Sequence, residues 1–176
     1  MDIRPLDREE YAGYSFHVEY TTAWYYDVDI RENGFLLERR PFPAPERRSF
    51  SDTLFSEWLE DPVAFGAFEG KTLLGFIEGS PEAWHNVFRI SNIYLSEACR
   101  GRGIGSALMT RMLAWAQERT ACRGVVLETQ TCNDPAIRFY RKRGFHLSRI
   151  DVREYANDDA ARKEVRIDLF LPLERT

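Results

Sequence analysis

The hydrophobic pattern changes character near residue 63. Ahead of it, apolar and aromatic side chains come in clusters, and behind it they fall into short, regularly punctuated runs. Residues 7–33 read as helical pieces around an aromatic-rich stretch from Tyr20 to Tyr26, with Asp27, Asp29 and Glu32 close behind. Residues 51–59 predict a second helix, with Ser51 as its cap and Leu54, Phe55 and Trp58 on one face. Between them, RRPFPAPERR (39–48) carries Pro41, Pro43 and Pro45 and reads as a loop.

Beyond residue 63 the period of two takes over. Runs 63–69 and 72–78 predict two strands, joined at Gly70-Lys71 as a hairpin. A third strand spans 87–95. A helix follows over 106–119, with Leu108, Met109, Met112, Leu113 and Ala116 as its apolar stripe. Residues 125–129 form a short apolar strand after Gly124. The next helix is capped by Asp134, carries Pro135 at its first position and closes at Gly144. Strands at 148–155 and 164–171 complete the chain, and Val165, Ile167, Leu169 and Leu171 alternate as a half-buried sheet requires. The order β-β-β-loop-α-β-α-β-β predicts an α/β (α+β) fold: a mixed, mostly antiparallel central sheet flanked by helices.

Composition narrows the function classes. A chain of 176 residues with 44% hydrophobic and 14% aromatic content can fill one core, so a single domain over 1–176 is expected. The net charge of −4 comes from 24 basic residues scattered among 28 acidic ones. That balance offers no nucleic-acid or membrane surface. No apolar run approaches the ~18 residues of a membrane span, and the start of the chain lacks a signal-peptide pattern. Cys99, Cys122 and Cys132 show neither disulfide nor zinc spacing, so no metal is expected and the cysteines read as reduced thiols of a cytoplasmic protein.

The stretch RGRGIGSA, from Arg100 to Ala107, stands directly before the 106–119 helix. Helix N-termini present unpaired N–H groups, and glycines let a ligand come close to them. Phosphate or pyrophosphate is the natural ligand, with Arg100 and Arg102 adding charge; the bland alternative is a glycine turn between strand and helix. A P-loop would need Gly-Lys-Ser/Thr, whereas Gly105-Ser106 has no lysine. The dinucleotide fingerprint needs a different glycine spacing from Gly101, Gly103 and Gly105.

What fits is a resemblance to the GNAT N-acetyltransferases. Arg100-x-x-Gly103-x-Gly105 is similar to their acyl-CoA loop. The run Asn133-Asp-Pro-Ala136-Ile-Arg-Phe139-Tyr140-Arg-Lys-Arg-Gly144-Phe145 resembles their second signature. Within the family, Leu127-Glu128-Thr129-Gln130 and Tyr155-Ala156-Asn157 look like streptothricin acetyltransferases. The likeness covers roughly residues 60–172, which implies an acetyl-CoA-binding core over 61–172. The 1–60 segment is then expected to supply acceptor-side helices.

The resemblance implies a sheet splayed between the family's fourth and fifth strands, here 87–95 and 125–129, with acetyl-CoA as acetyl donor. Pantetheine would pair with main chain at Ile93, Tyr94 and Leu95. The pyrophosphate would meet the loop Arg100, Gly101, Arg102, Gly103, Ile104, Gly105 and Ser106. Asn133 would bond the pantetheine arm, with Ala136 and Phe139 nearby on the signature helix. Arg143 could reach a CoA phosphate or simply suit a helix C-terminus. Tyr140 would protonate the departing thiolate.

Acetyl transfer also needs a neutral amine. Deprotonating an alkyl ammonium at pH 7 costs roughly 4.6 kcal/mol, so a base or water chain must manage the proton. Streptothricin-type relatives carry acids at the positions of Ser91 and Asn92, and this chain has none there. Glu78 and Glu128 are the candidate substitutes, each equally readable as a sheet-edge carboxylate. Trp24, Tyr26, Asp27 and Asp29 form the expected acceptor wall, since carboxylates beside aromatics suit an organic cation. The leading expectation is therefore an N-acetyltransferase acting on a small cationic amine, as monomer or homodimer. The alternatives are a non-catalytic acyl-CoA-binding or sensing module and a protein or peptide N-acetyltransferase.

Overall fold

A computed structural model describes residues 1–174. In chain order its elements are β1 (Asp2–Pro5), α1 (Arg8–Tyr11), β2 (Ser15–Arg31), β3 (Gly34–Thr53), β4 (Val63–Glu69), β5 (Thr72–Glu82), β6 (Val87–Leu95), α2 (Ile104–Arg119), β7 (Gly124–Gln130), α3 (Asp134–Arg141), β8 (His146–Asp151), α4 (Asp159–Arg162) and β9 (Arg166–Pro172). The chain divides into two compact units: Met1–Val18, Ser51–Val126 and 172–174 form the first, Glu19–Phe50 and Leu127–Leu171 the second. The chain passes from one unit to the other within β7.

In the first unit the strand order is β1-β4-β5-β6-β7, and β1 with β4, β4 with β5 and β5 with β6 are antiparallel. Helix α2 packs on β4, β5 and β6, burying Leu108, Met109, Met112 and Ala116 of the predicted stripe. Leu6, Phe16, Leu54, Phe55, Ala64, Phe68 and Phe76 make a buried cluster. Within it, Phe76 meets Phe16 edge-on at 4.9 Å and stacks on Tyr94 at 5.2 Å. In the second unit β7, β9 and β8 are neighbours, β8 and β9 pair antiparallel, and β2 pairs with β3. The core strands and helices expected from residue 63 onward are all present, and the fold is mixed α/β with few helices.

The N-terminal expectation is overturned. Of residues 7–33 only Arg8–Tyr11 is α-helical, and 15–53 form a long β-hairpin. The segment from Phe16 to Ile30 is rich in β-branched and aromatic residues, which fit a pleated surface. Asn33-Gly34 at its end is the hairpin signal. The three prolines lie inside β3 rather than in a loop. Alternate residues of a strand direct their N–H groups to one edge, so Pro41, Pro43 and Pro45 remove donors from a single edge. The other edge remains able to pair with β2. No helix spans 51–59 either: residues 51–53 end β3, and Phe55 follows with φ 57°, outside the right-handed helical region. Leu54 and Phe55 are buried, but Trp58 is 67% exposed, so the three share no face.

One constraint in the sheet bears directly on the chemistry. Register between β5 and β6 shifts at Glu78/Gly79: Glu78 faces Asn92, and Gly79 faces Ile90. Ser91 is therefore the extra residue of a β-bulge. A Cβ at Gly79 would lie 2.6 Å from the Arg89 carbonyl oxygen and 2.6 Å from the Phe88 ring. Gly79→Ala should destabilise the protein by about 1–3 kcal/mol, read as a lower denaturant midpoint. An unchanged midpoint would mean that the strands do not approach this closely.

Candidate active site

The glycine loop is built as an anion cradle. After β6 the chain makes a single tight turn at Glu97–Cys99, and Gly101 and Gly103 then adopt φ 76° and 80°, which only glycine takes without strain. Gly103 is the N-cap of α2, and no side chain caps that helix end. The ladder begins with the Ala107 N–H on the Gly103 carbonyl at 3.1 Å. The N–H groups of Ile104, Gly105 and Ser106 come before that first bond in the ladder. Nothing lies within 4 Å of where a Cβ would stand on Gly101 or Gly103, so the loop faces open space. Arg102 reaches Glu69 at 3.4 Å, with both side chains exposed. These donors and open faces fit the pyrophosphate of a CoA cosubstrate. Ile93, Tyr94 and Leu95 end β6 close by in sequence and are only partly buried.

The bulge gathers polar groups on one face of the first unit. Ile93 faces Ile77 and Ile90 faces Gly79, and these share one side of the ladder; Asn92 faces Glu78 on the other. Ser91 lies between Ile90 and Asn92 as the bulged residue. Glu78 is fully buried. Its Oε1 accepts the Phe55 backbone N–H at 2.5 Å, and its Oε2 accepts the Asn92 amide at 2.9 Å. Burial raises the Glu78 pKa, the two hydrogen bonds oppose that rise, and the charge of Asp52 adds to it. The Ser91 hydroxyl is buried and has no hydrogen-bond partner among the described residues. Sequence reasoning singled out Glu78 but missed Phe55 and Asn92 as its partners; the cross-strand facing of 78 and 92 was the available signal.

The second signature lies in the second unit. Asn133, rather than Asp134, caps α3, its Oδ1 accepting the Ala136 N–H at 3.3 Å. That oxygen already accepts one bond from the helix, which leaves the Asn133 NH2 group as the side chain's donor for a ligand. Asp134 is instead gripped by Arg39 through two bonds of 2.7 and 3.0 Å. Tyr140 is buried against the rings of Phe139 and Phe145, and burial pushes its pKa up to about 12. Gly144, at φ 85°, reverses the chain after α3 as expected. Arg143 turns back on its own helix, donating to the Phe139 carbonyl at 2.7 Å with its guanidinium 3.5 Å from the Phe139 ring centroid.

The expected acceptor wall is rearranged by its strand conformation. Alternation puts Trp24 and Tyr26 on one face of β2 and Asp27 and Asp29 on the other, so the carboxylates do not flank those aromatics. Asp27 already pairs with Lys163 at 2.8 Å and Arg40 at 3.4 Å, and Asp29 pairs with Arg31 at 3.0 Å. The Trp24 ring is covered by Arg39, 4.0 Å from its centroid. Tyr26 is buried, its hydroxyl accepting from Arg141 at 3.3 Å. Glu128 takes the Tyr155 phenol as a hydrogen-bond donor and Arg166 as an ion-pair partner at 3.1 Å.

Glu78 carries a stability signature. Its folded-state pKa lies above the ordinary 4.5, so the folded form holds its proton more tightly than the unfolded chain does. That contribution is complete below about pH 4.5 and is lost as pH rises through the folded value. Glu78→Gln keeps the shape without the charge. It should be at least as stable as the parent at neutral pH, with the difference growing as pH rises through that window. A parent whose melting temperature exceeds the variant's by more at pH 7 than at pH 4 would refute this.

Comparison with known proteins is consistent with this geometry. The sequence profile of the acetyltransferase (GNAT) family matches residues 31–145. The chain is 35% identical over 130 residues to a streptothricin acetyltransferase of Escherichia coli, covering 74% of this chain and 72% of that protein. It is 33% identical over 162 residues to one from Streptomyces lavendulae, covering 86% and 83%. The crystal structure of nourseothricin acetyltransferase superposes with a TM-score of 0.77 at 25% identity, over 98% of each chain. That of a putative streptothricin acetyltransferase from Bacillus anthracis, in complex with acetyl coenzyme A, gives 0.73 at 23% identity over 98% and 97%, a likeness of fold. The chain belongs to the GNAT acetyltransferase family and is an acetyl-CoA-dependent N-acetyltransferase.

Proposed function

We propose that the acceptor is a primary amine on a small, cationic molecule of the streptothricin type, with Glu78 as the base. Relatives bearing that activity in their names align over most of the chain, which supports the substrate class. The observation that carries the base assignment is the buried Glu78 carboxylate, held by two N–H donors beside the bulge at Ser91. Its raised pKa brings it nearer the operating pH, where a general base is most effective. Because Glu78 has no exposed surface, the amine proton reaches it through a water, and the Ser91 hydroxyl is the polar group able to hold one there. Glu128, already carrying Tyr155 and Arg166, is the weaker candidate.

Tyr140 assists the departing thiolate through a hydrogen bond. A phenol of pKa about 12 would transfer its proton to a thiolate of pKa about 8.5 only at a cost of roughly 5 kcal/mol as separate ions. Stabilisation of developing charge in a dry environment needs no complete transfer. Residues 1–60 are assigned to the acceptor side, now as a hairpin rather than helices, and the whole chain acts as one catalytic domain.

Thiol release from acetyl-CoA with a panel of streptothricin, polyamines, aminoglycosides, amino acids and short peptides tests the substrate class. Streptothricin should give the highest kcat/KM; a preference for peptides would overturn the reading. Gly103→Val, which forces a branched side chain into a positive φ, should weaken CoA and acetyl-CoA binding alike by calorimetry. Tyr140→Phe should keep CoA affinity within a few-fold and cut kcat by about tenfold or more. A full-rate Phe variant would leave water as the donor.

A further inference from the structure

Glu78 and Asn92 stand opposite each other on β5 and β6, and both are buried, at 0% and 7% exposure. Each carboxylate oxygen of Glu78 receives one donor, from different directions in the chain. The Asn92 amide reaches Oε2 from the facing strand, and the Phe55 N–H reaches Oε1 from the turn after β3. Two fixed points on a planar group define its orientation. The Phe55 clamp carries strain, since a bulky residue at φ 57° is a backbone outlier. The Asn92 clamp depends on the bulge. Were Ser91 to take a regular place in the ladder instead of bulging, the alternation running from Ile90 would turn Asn92 away from the Glu78 face.

We infer that Asn92 is a positioning residue for acetyl transfer, clamping Glu78 Oε2 across the ladder while the Phe55 N–H holds Oε1, so that the base presents its free lone pairs in one orientation. This rests on the reading of Glu78 as the base. The groups bearing on Glu78 are Asn92 from β6, the Phe55 N–H from the turn after β3, and Asp52 at the end of β3 as the acting charge. Asn92 and Phe55 favour the carboxylate, and Asp52 opposes it. An aspartate at 92 would remove the donor and add a like charge. An aliphatic residue would remove the donor alone.

The test uses the pH profile of kcat/KM, whose acid limb reports the base in the free enzyme. Glu78→Gln comes first and should lose activity at every pH. Asn92→Leu should move the acid limb upward by about one unit. That is about a tenfold loss of kcat/KM below the limb, recovered at higher pH. Asn92→Asp should move the limb further in the same direction. A role in folding alone would lower the melting temperature and leave the limb in place. If Glu78→Gln keeps full rate, the base assignment fails. If Glu78→Gln is inactive while the limb of Asn92→Leu stays at the parent position, the positioning role is overturned and the base stands. Should the leucine variant not fold, Asn92→Ser, one bond short of the carboxylate, reads the same limb.

Discussion

A carboxylate buried with no exposed surface must be given donors by its own fold, and the first unit is organised around doing so for Glu78. The demand runs outward through the structure. The bulge at Ser91 is needed to keep Asn92 on the Glu78 side, and Gly79 is needed so that the strands can close beside that bulge. The turn after β3 takes a strained conformation at Phe55 so that a backbone N–H reaches Oε1. The same Phe55 side chain is buried with Phe16 and Phe76, so the polar clamp and the apolar cluster fix one another.

The glycine loop poses the complementary problem, a helix start whose backbone donors suit an anion. Gly103 caps α2 without a side-chain bond, and open space surrounds the positions a Cβ would take on Gly101 and Gly103. Backbone N–H groups ahead of the first bond of a helix ladder are a general anion-binding feature. Glu78 with its donors faces β6 at Asn92, and the glycine loop follows the C-terminal end of that same strand; on the reading of Glu78 as the base, base and anion cradle lie along one strand.

Legibility in the sequence followed the kind of signal each element carried. Strands β4, β5 and β6, helix α2 and the loop between them were written in local letters: Gly70-Lys71, an alternating run, three glycines before an apolar stripe. The N-terminal hairpin was misread because Trp24, Tyr25 and Tyr26 cluster in sequence, and a cluster suits a helix face as well as a strand. Asn33-Gly34 was the letter-level cue that would have decided it. Reading a helix also placed Asp27 and Asp29 beside the aromatics; a strand sends them to the other face, toward Lys163, Arg40 and Arg31. The cap of α3 shifted by one residue because Asn133 and Asp134 are both good caps, and the long-range pull of Arg39 took Asp134 away. No local pattern encodes a partner so distant in the chain.

A purely structural role at Glu78 would not need a carboxylate. A neutral amide of the same shape could accept the Phe55 N–H and, with Asn92 turned over, bond across the ladder as well. It would tie the turn to the sheet without the cost of desolvating a charge. A module that only bound acyl-CoA would need the glycine loop and gain nothing from an ionisable group at this position. What a carboxylate adds, and an amide cannot, is the capacity to take up a proton. Its desolvation, opposed by two donors, sets that capacity nearer to neutral pH than an exposed acid would have it. On the reading of Glu78 as the base, proton uptake from an amine accounts for the energetic burden of the buried charge.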